Sequence, residues 1–155
     1  MLEPTPAGKE FEIWPLHITI VPWFPVDDSA KLDKLLKSIA EKHKKFVVRV
    51  GKTKQWGNKE KFDVSLIEES YSLHSLHWNV FHALEKNGFP IHQKDFLGEK
   101  YKPHISIRNE LQKTHNKPET GQSIEISNIW LVEQLRLKKS GKMIKKLKNE
   151  YELQK

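Results

Sequence analysis

The sequence predicts an α+β fold of two pseudo-symmetric lobes, with antiparallel sheets lining a central cleft and helices packed outside. Three observations predict it. Nearly the same phrase is written twice, LHITIVP at 16–22 and PHISIRN at 103–109. Each phrase alternates aliphatic and polar residues, the period of two that marks a strand with unlike faces. Each is accompanied by helical and strand patterns in a comparable order, as expected of an internal pseudo-repeat about 87 residues long.

The elements follow in order. In 16–20, Leu16, Ile18 and Ile20 alternate with His17 and Thr19, so a strand places the imidazole and the hydroxyl on one face. Asp27-Asp28-Ser29 offers helix caps. Leu32, Leu35, Leu36 and Ile39 then form one stripe, which predicts a helix over 28–44. Strands are predicted at 46–51 (FVVRVG) and 62–67 (FDVSLI). Leu73, Leu76, Val80 and Leu84 predict a second helix over 73–87, with Gly88 in the place of a C-cap glycine. In the second phrase Ile105 and Ile107 alternate with His104, Ser106 and Arg108. Pro22 and Pro103 bracket the two phrases as strand ends. The stretch 109–123 reads as a loop, 124–137 as a strand, Ser140-Gly141 as a tight turn, and 142–153 as a last strand.

Composition narrows the class. A chain of 155 residues fits one domain, 1–155, and 37% hydrophobic residues with seven Phe and five Trp supply a core. No apolar run approaches the ~18–20 residues of a membrane helix. The segment MLEPTPAGKEFEIW lacks the basic-then-apolar pattern of a signal peptide. The absence of cysteine excludes a disulfide framework and a thiolate metal site, and allows a reducing cytoplasm. A cytoplasmic monomer with no membrane partner is expected. The net charge of +7 suits a polyanionic partner and equally suits simple solubility.

Two His-x-(Thr/Ser)-x motifs, His17-Ile18-Thr19-Ile20 and His104-Ile105-Ser106-Ile107, stand one per half of the chain. With YKPHISI after the second helix and IWLVEQLRL after that, the chain resembles the 2H phosphoesterase superfamily over nearly its whole length. It is most similar to the bacterial 2′-5′ RNA ligase and cyclic phosphodiesterase branch. Ser106 stands where threonine is commoner in that family, and supplies the same hydroxyl. The resemblance implies catalytic His17 and His104, phosphate contacts from Thr19 and Ser106, and no metal or other cofactor.

The chemistry also stands on its own. Histidine is the side chain that exchanges a proton near neutrality. Of two in one cleft, a neutral ring takes a proton from water or a ribose hydroxyl, and a protonated ring gives one to the leaving oxygen. Either histidine can fill either role on this reading. Thr19 and Ser106 would hydrogen-bond the non-bridging phosphate oxygens, and Arg108 would add a bidentate contact. The bonds that suit this chemistry are 2′,3′-cyclic phosphates and 2′-5′ linkages, in RNA or small nucleotides.

Other residues receive weaker assignments. His74 and His77 are spaced to share a metal, but no third ligand is evident and a helix-surface reading is preferred. His43, His82, His92 and His115 show no partner pattern. Among the aromatics near motifs and loops (Trp23, Phe24, Trp56, Phe62 and Tyr101), Trp23 and Tyr101 are the candidates for base stacking, and packing is the plainer role for each. The lysines at 138, 139, 142, 145, 146 and 148 form either a phosphate-attracting strip or a solvated face. Two other classes compete with a two-histidine enzyme. One is a non-catalytic RNA- or nucleotide-binding module, which does not require both imidazoles. The other is a metal-dependent hydrolase, for which no ligand cluster is seen.

Overall fold

The computed structural model describes residues 15–107 and 117–155. The N-terminal segment 1–14, Arg108, His115 and residues 109–116 of the expected loop lie outside the described residues. The elements are α1 (Ser29–Glu41), β1 (Phe46–Trp56), β2 (Phe62–Ile67), α2 (Tyr71–Lys86), a short 3₁₀ turn (Gly98–Lys100), β3 (His104–Ile107), β4 (Ser123–Ile126), β5 (Asn128–Arg136) and β6 (Met143–Glu152). The fold is α+β. Strands β3-β2-β1-β4 form one antiparallel sheet, and β5 and β6 form a second.

Both helices form where the apolar spacing places them, and both are capped. The Asp28 carboxylate accepts from the Lys31 amide at 3.0 Å, and the Ser70 hydroxyl accepts from the Leu73 amide at 3.2 Å. At the end of α2, Gly88 takes φ +85, and the Phe89 amide reaches back to the Leu84 carbonyl at 2.9 Å. This is a Schellman ending, and the Phe89 side chain is buried below it. One core joins Leu32, Leu36 and Ile39 of α1 to Leu76, Val80 and Leu84 of α2, and to Ile129 and Tyr151 of the β5–β6 sheet. A second lies beneath the four-stranded sheet and gathers Leu16, Val48, Val50, Ile67, Leu73, Ile105 and Ile107. Asp33 of α1 accepts hydrogen bonds from Tyr151 (2.7 Å) and Asn149 (2.6 Å), fixing the helix against β6.

The structure differs from the sequence-based expectation in three places. Strand β1 runs to Trp56, five residues past 51, because it pairs with β2 as far as Trp56–Phe62; its extension is polar and exposed as far as Gln55, so no alternation announces it. The segment 124–137 is two strands in two sheets, β4 on β1 and β5 on β6. The break shows as a phase change, with aliphatics at Ile124 and Ile126 and then at Ile129 and Leu131. The third difference is the segment 16–20, which is no regular strand. It meets β3 through one antiparallel bridge, Ile18 with Ile105. Two of its carbonyls are taken by side chains instead: Tyr101 donates its hydroxyl to Thr19 O at 2.9 Å, and His77 Nδ1 donates to Ile20 O at 2.6 Å.

His77 corrects the helix-surface reading. It stands four residues after Leu73 on the apolar stripe of α2 and is fully buried. Its Nε2 accepts from the Gly98 amide at 2.9 Å, and its ring stacks on Tyr101 at 3.9 Å. One neutral imidazole thus ties the end of the first phrase to the turn preceding the second, and with both nitrogens engaged it is no metal ligand. Gly98 is required there: its φ is +63, and a Cβ would meet the Trp78 ring at 3.1 Å.

Burial holds the His77 pKa below the usual 6.5; the Ile20 carbonyl opposes this, and His74 and His82 reinforce it. Above 6.5 both folded and unfolded chains hold the ring neutral. As pH falls below 6.5 the unfolded chain takes up a proton that the folded chain resists, so stability is lost toward the folded pKa. Replacing His77 by Ala strands a buried amide and a half-buried carbonyl, at about 1–3 kcal/mol each, with lost packing in addition. Urea unfolding at about pH 8 should show a loss of at least ~3 kcal/mol for H77A, and H77A should lose less stability on acidification than the parent. A loss below ~1 kcal/mol would show that the clamp is not holding the two segments.

Candidate active site

Ile18 and Ile105 hold equivalent positions in the two phrases, and they pair with each other in antiparallel sense. Antiparallel pairing of equivalent residues generates a local two-fold axis. The register then sets His17 opposite Ser106 and Thr19 opposite His104. Residues opposite one another share a face, so all four polar side chains lie on one face and the isoleucines on the other. Burial agrees: Leu16, Ile105 and Ile107 are buried, His104 and Ser106 half-buried, and His17 and Thr19 more open to solvent than Leu16. His17 and His104 are diagonal neighbours, a relation that puts Cβ atoms about 7–8 Å apart or slightly less.

The two imidazoles are oriented alike. His17 Nδ1 donates to Pro15 O at 2.9 Å, and His104 Nδ1 donates to Lys102 O at 2.7 Å. A carbonyl only accepts, so the proton of each neutral ring is on Nδ1, and Nε2 carries the lone pair that exchanges protons. A backbone carbonyl two residues back therefore fixes the tautomer in both motifs.

Their surroundings differ. Protein crowding the His17 ring, although the side chain reaches solvent, holds its pKa below 6.5 against the Pro15 carbonyl, and the positive charges of Lys145 and His104 push it down further. Lys145 also lies over the Trp23 ring, at 5.8 Å. Trp23 is 48% exposed and remains a candidate stacking surface on this side. Among the C-terminal lysines, Lys145 is thus placed at the site, while Lys148 approaches Glu133 at 3.8 Å on the surface. On the other side Trp56 packs against His104, with ring centroids 4.5 Å apart at 60°, and stacks on Phe96 at 6.0 Å and 26°.

Tyr101 does not serve as a stacking surface. It is buried, one face lies flat on His77, and its hydroxyl is committed to the Thr19 carbonyl. Burial pushes its phenol pKa upward. Its place is to hold the Thr19 backbone. Sequence reasoning missed this role, that of His77 and the positions of Lys145 and Phe96. All depend on contacts between distant segments, although the apolar-stripe position of His77 was a signal for burial. Among the described residues no group of three or more His, Cys, Asp or Glu is arranged to hold a metal, and no helix is long and apolar enough to cross a membrane.

Comparison with known proteins bears on the fold and the family. A structure of TT0787 from Thermus thermophilus superposes with TM-score 0.65 at 18% identity, over 89% of this chain and 78% of that one. A phosphoesterase superposes with TM-score 0.61 at 15% identity, over 96% and 83%. E. coli LigT in apo form gives 0.56 at 17% identity, over 96% and 82%. At these identities the likeness is one of fold. No curated protein matches the chain. The family model for the 2′-5′ RNA ligase superfamily, however, matches residues 3–137. That span takes in both histidine motifs and most of the 155 residues, and the chain belongs to the 2′-5′ RNA ligase superfamily.

Proposed function

We propose that the protein is a metal-independent phosphodiesterase that opens 2′,3′-cyclic phosphates or cleaves 2′-5′ bonds in RNA or nucleotides, with weak ligation as the reverse reaction. One observation carries the reading: two symmetry-related imidazoles, each fixed with Nδ1 protonated, share a sheet face with two hydroxyls. In-line displacement at phosphorus places the attacking and leaving oxygens on opposite sides of the phosphate. A two-fold pair of imidazoles offers one nitrogen to each.

In hydrolysis, a water oxygen forms the new bond to phosphorus while His17 Nε2 takes its proton. The bond from phosphorus to a ribose oxygen breaks, and that oxygen receives a proton from Nε2 of a protonated His104. The lowered pKa of His17 supports its assignment as base. Thr19 and Ser106 donate their hydroxyls to the non-bridging oxygens, and Lys145 adds positive charge. Arg108, the next polar position after Ser106 by alternation, is a sequence-based candidate for a further contact. Family membership and the name of the superfamily support the substrate class.

Purified protein assayed with a chelator present should hydrolyse 2′,3′-cyclic nucleotides or 2′-5′ dinucleotides, and H17A and H104A should each lose roughly 10²–10⁴-fold in turnover. Full activity in both variants would place proton transfer elsewhere. No turnover by the parent, with nucleotide binding retained, would favour a binding module.

Lys145 gives an independent check. Removing its charge should raise the His17 pKa, because that charge disfavours the imidazolium. A base with a higher pKa needs a higher pH to be neutral. In K145M the acidic limb of the kcat/KM profile should therefore move to higher pH. A limb that stays in place, or moves to lower pH, would separate Lys145 from His17.

A further inference from the structure

The hairpin made by β5 and β6 runs beyond the core. Every residue from Gln134 to Met143 is exposed, so its outer half has no core on either face. It stays regular to the tip. Leu135 pairs with Ile144 and Arg136 with Met143, the Leu137 amide donates to the Lys142 carbonyl at 2.9 Å, and Gly141 closes the turn at φ +67. Opposed residues share a face. One face carries Gln134, Arg136, Met143 and Lys145, and Lys145 turns it toward His17 and Trp23. The other carries Leu135, Leu137 and Ile144, so it looks away from the cleft. Leu135 and Leu137 are 40% and 42% exposed. Charge is concentrated on the same hairpin. Segment 134–149 holds seven of the 27 Lys and Arg and none of the 20 Asp and Glu, so the rest of the chain is balanced.

We propose that this hairpin is a peripheral contact for an anionic lipid bilayer, with its leucine-bearing face laid into the headgroup region and its lysines set among the lipid phosphates. Two features together select that partner. Lysines alone suit any polyanion. Exposed leucines between them gain nothing from a phosphodiester backbone, and they do gain from an acyl boundary just below a negative surface. Segment 131–149 contains no aromatic ring, the group on which a single-stranded nucleic acid stacks. Water still reaches the headgroup region, so the outer edges of the ribbon stay solvated there. The opposite face carries Lys145, so binding in this sense leaves the cleft of His17 and His104 open to solution. A surface contact needs no spanning helix, and the expectation of no membrane partner, drawn from the lack of a spanning segment, does not extend to it. The contact is independent of the phosphodiesterase reading, and vesicle binding is measured without turnover.

Co-sedimentation of the full chain with vesicles tests the contact. One set of vesicles is phosphatidylcholine alone, and the other is phosphatidylcholine with equimolar phosphatidylglycerol. Binding of poly(U) RNA, a polyanion without an apolar layer, is measured on the same proteins. The parent should bind the anionic vesicles and should bind phosphatidylcholine far less. K138Q/K139Q/K142Q should lower the partition coefficient on anionic vesicles about 100-fold, at about fivefold per charge removed. L135S/L137S keeps every charge and should lower it roughly tenfold, with poly(U) binding as in the parent. The substituted positions are all exposed, and circular dichroism checks that each variant keeps the parental fold. A parent that stays in solution beside anionic vesicles would overturn the bilayer contact. So would an L135S/L137S variant that binds those vesicles like the parent, which would leave the hairpin as a patch for polyanions in general.

Discussion

The site depends on one pairing, Ile18 with Ile105. It joins two equivalent positions across a local two-fold axis, and every other relation at the site follows from it. Side chains alternate along a strand, so burying the isoleucines obliges the histidines and hydroxyls to face the other way. The pairing is antiparallel, so each imidazole stands opposite the other half's hydroxyl. A slip of one residue would reverse the faces of an entire segment. The first phrase has no ladder to prevent such a slip. Its register is held instead by burial of Leu16, by Tyr101 on the Thr19 carbonyl and by His77 on the Ile20 carbonyl. His77 matters because it is the group that also holds the turn before the second phrase, through Gly98.

A symmetric frame alone does not separate an acid from a base. The backbone treats the two histidines alike, giving each a carbonyl two residues back. The difference comes from what the rest of the chain brings to each side. Lys145 and Trp23 stand near His17, where desolvation and positive charge favour a neutral ring. Trp56 and Phe96 stand near His104. These residues come from β6, from β1 and from loops, outside the repeated phrase. On the proposed reading, the repeat supplies the pair of proton-exchanging groups, and the unrepeated parts supply their division of labour.

Much of this was legible in the sequence because it is local. The alternation around His17 and His104 placed imidazole and hydroxyl on one face, and the leucine stripes located both helices to within a few residues. What was not legible depends on distant segments meeting. The polar half of β1 has no buried face of its own and forms because β2 lies beside it. Tyr101 was a stacking candidate from its place next to the second phrase, yet its ring is enclosed by His77 of a helix. Trp56, 48 positions before His104 in the chain, meets it from the far end of β1, beyond a shift in the β1–β2 register. The division of 124–137 between two sheets was recoverable from the shift between Ile126 and Ile129, a change of phase within an otherwise continuous apolar run.

The central claim is that two like-oriented imidazoles flank one phosphate. Long-range ¹H–¹⁵N correlation spectra of the histidine rings test it directly, recorded at a pH where the rings are neutral and again during titration with adenosine 3′-monophosphate. The account predicts Nδ1-protonated tautomers for both His17 and His104, with Nε2 of both shifting along a single binding curve. Nε2-protonated tautomers, or a response confined to one of the two rings, would contradict it.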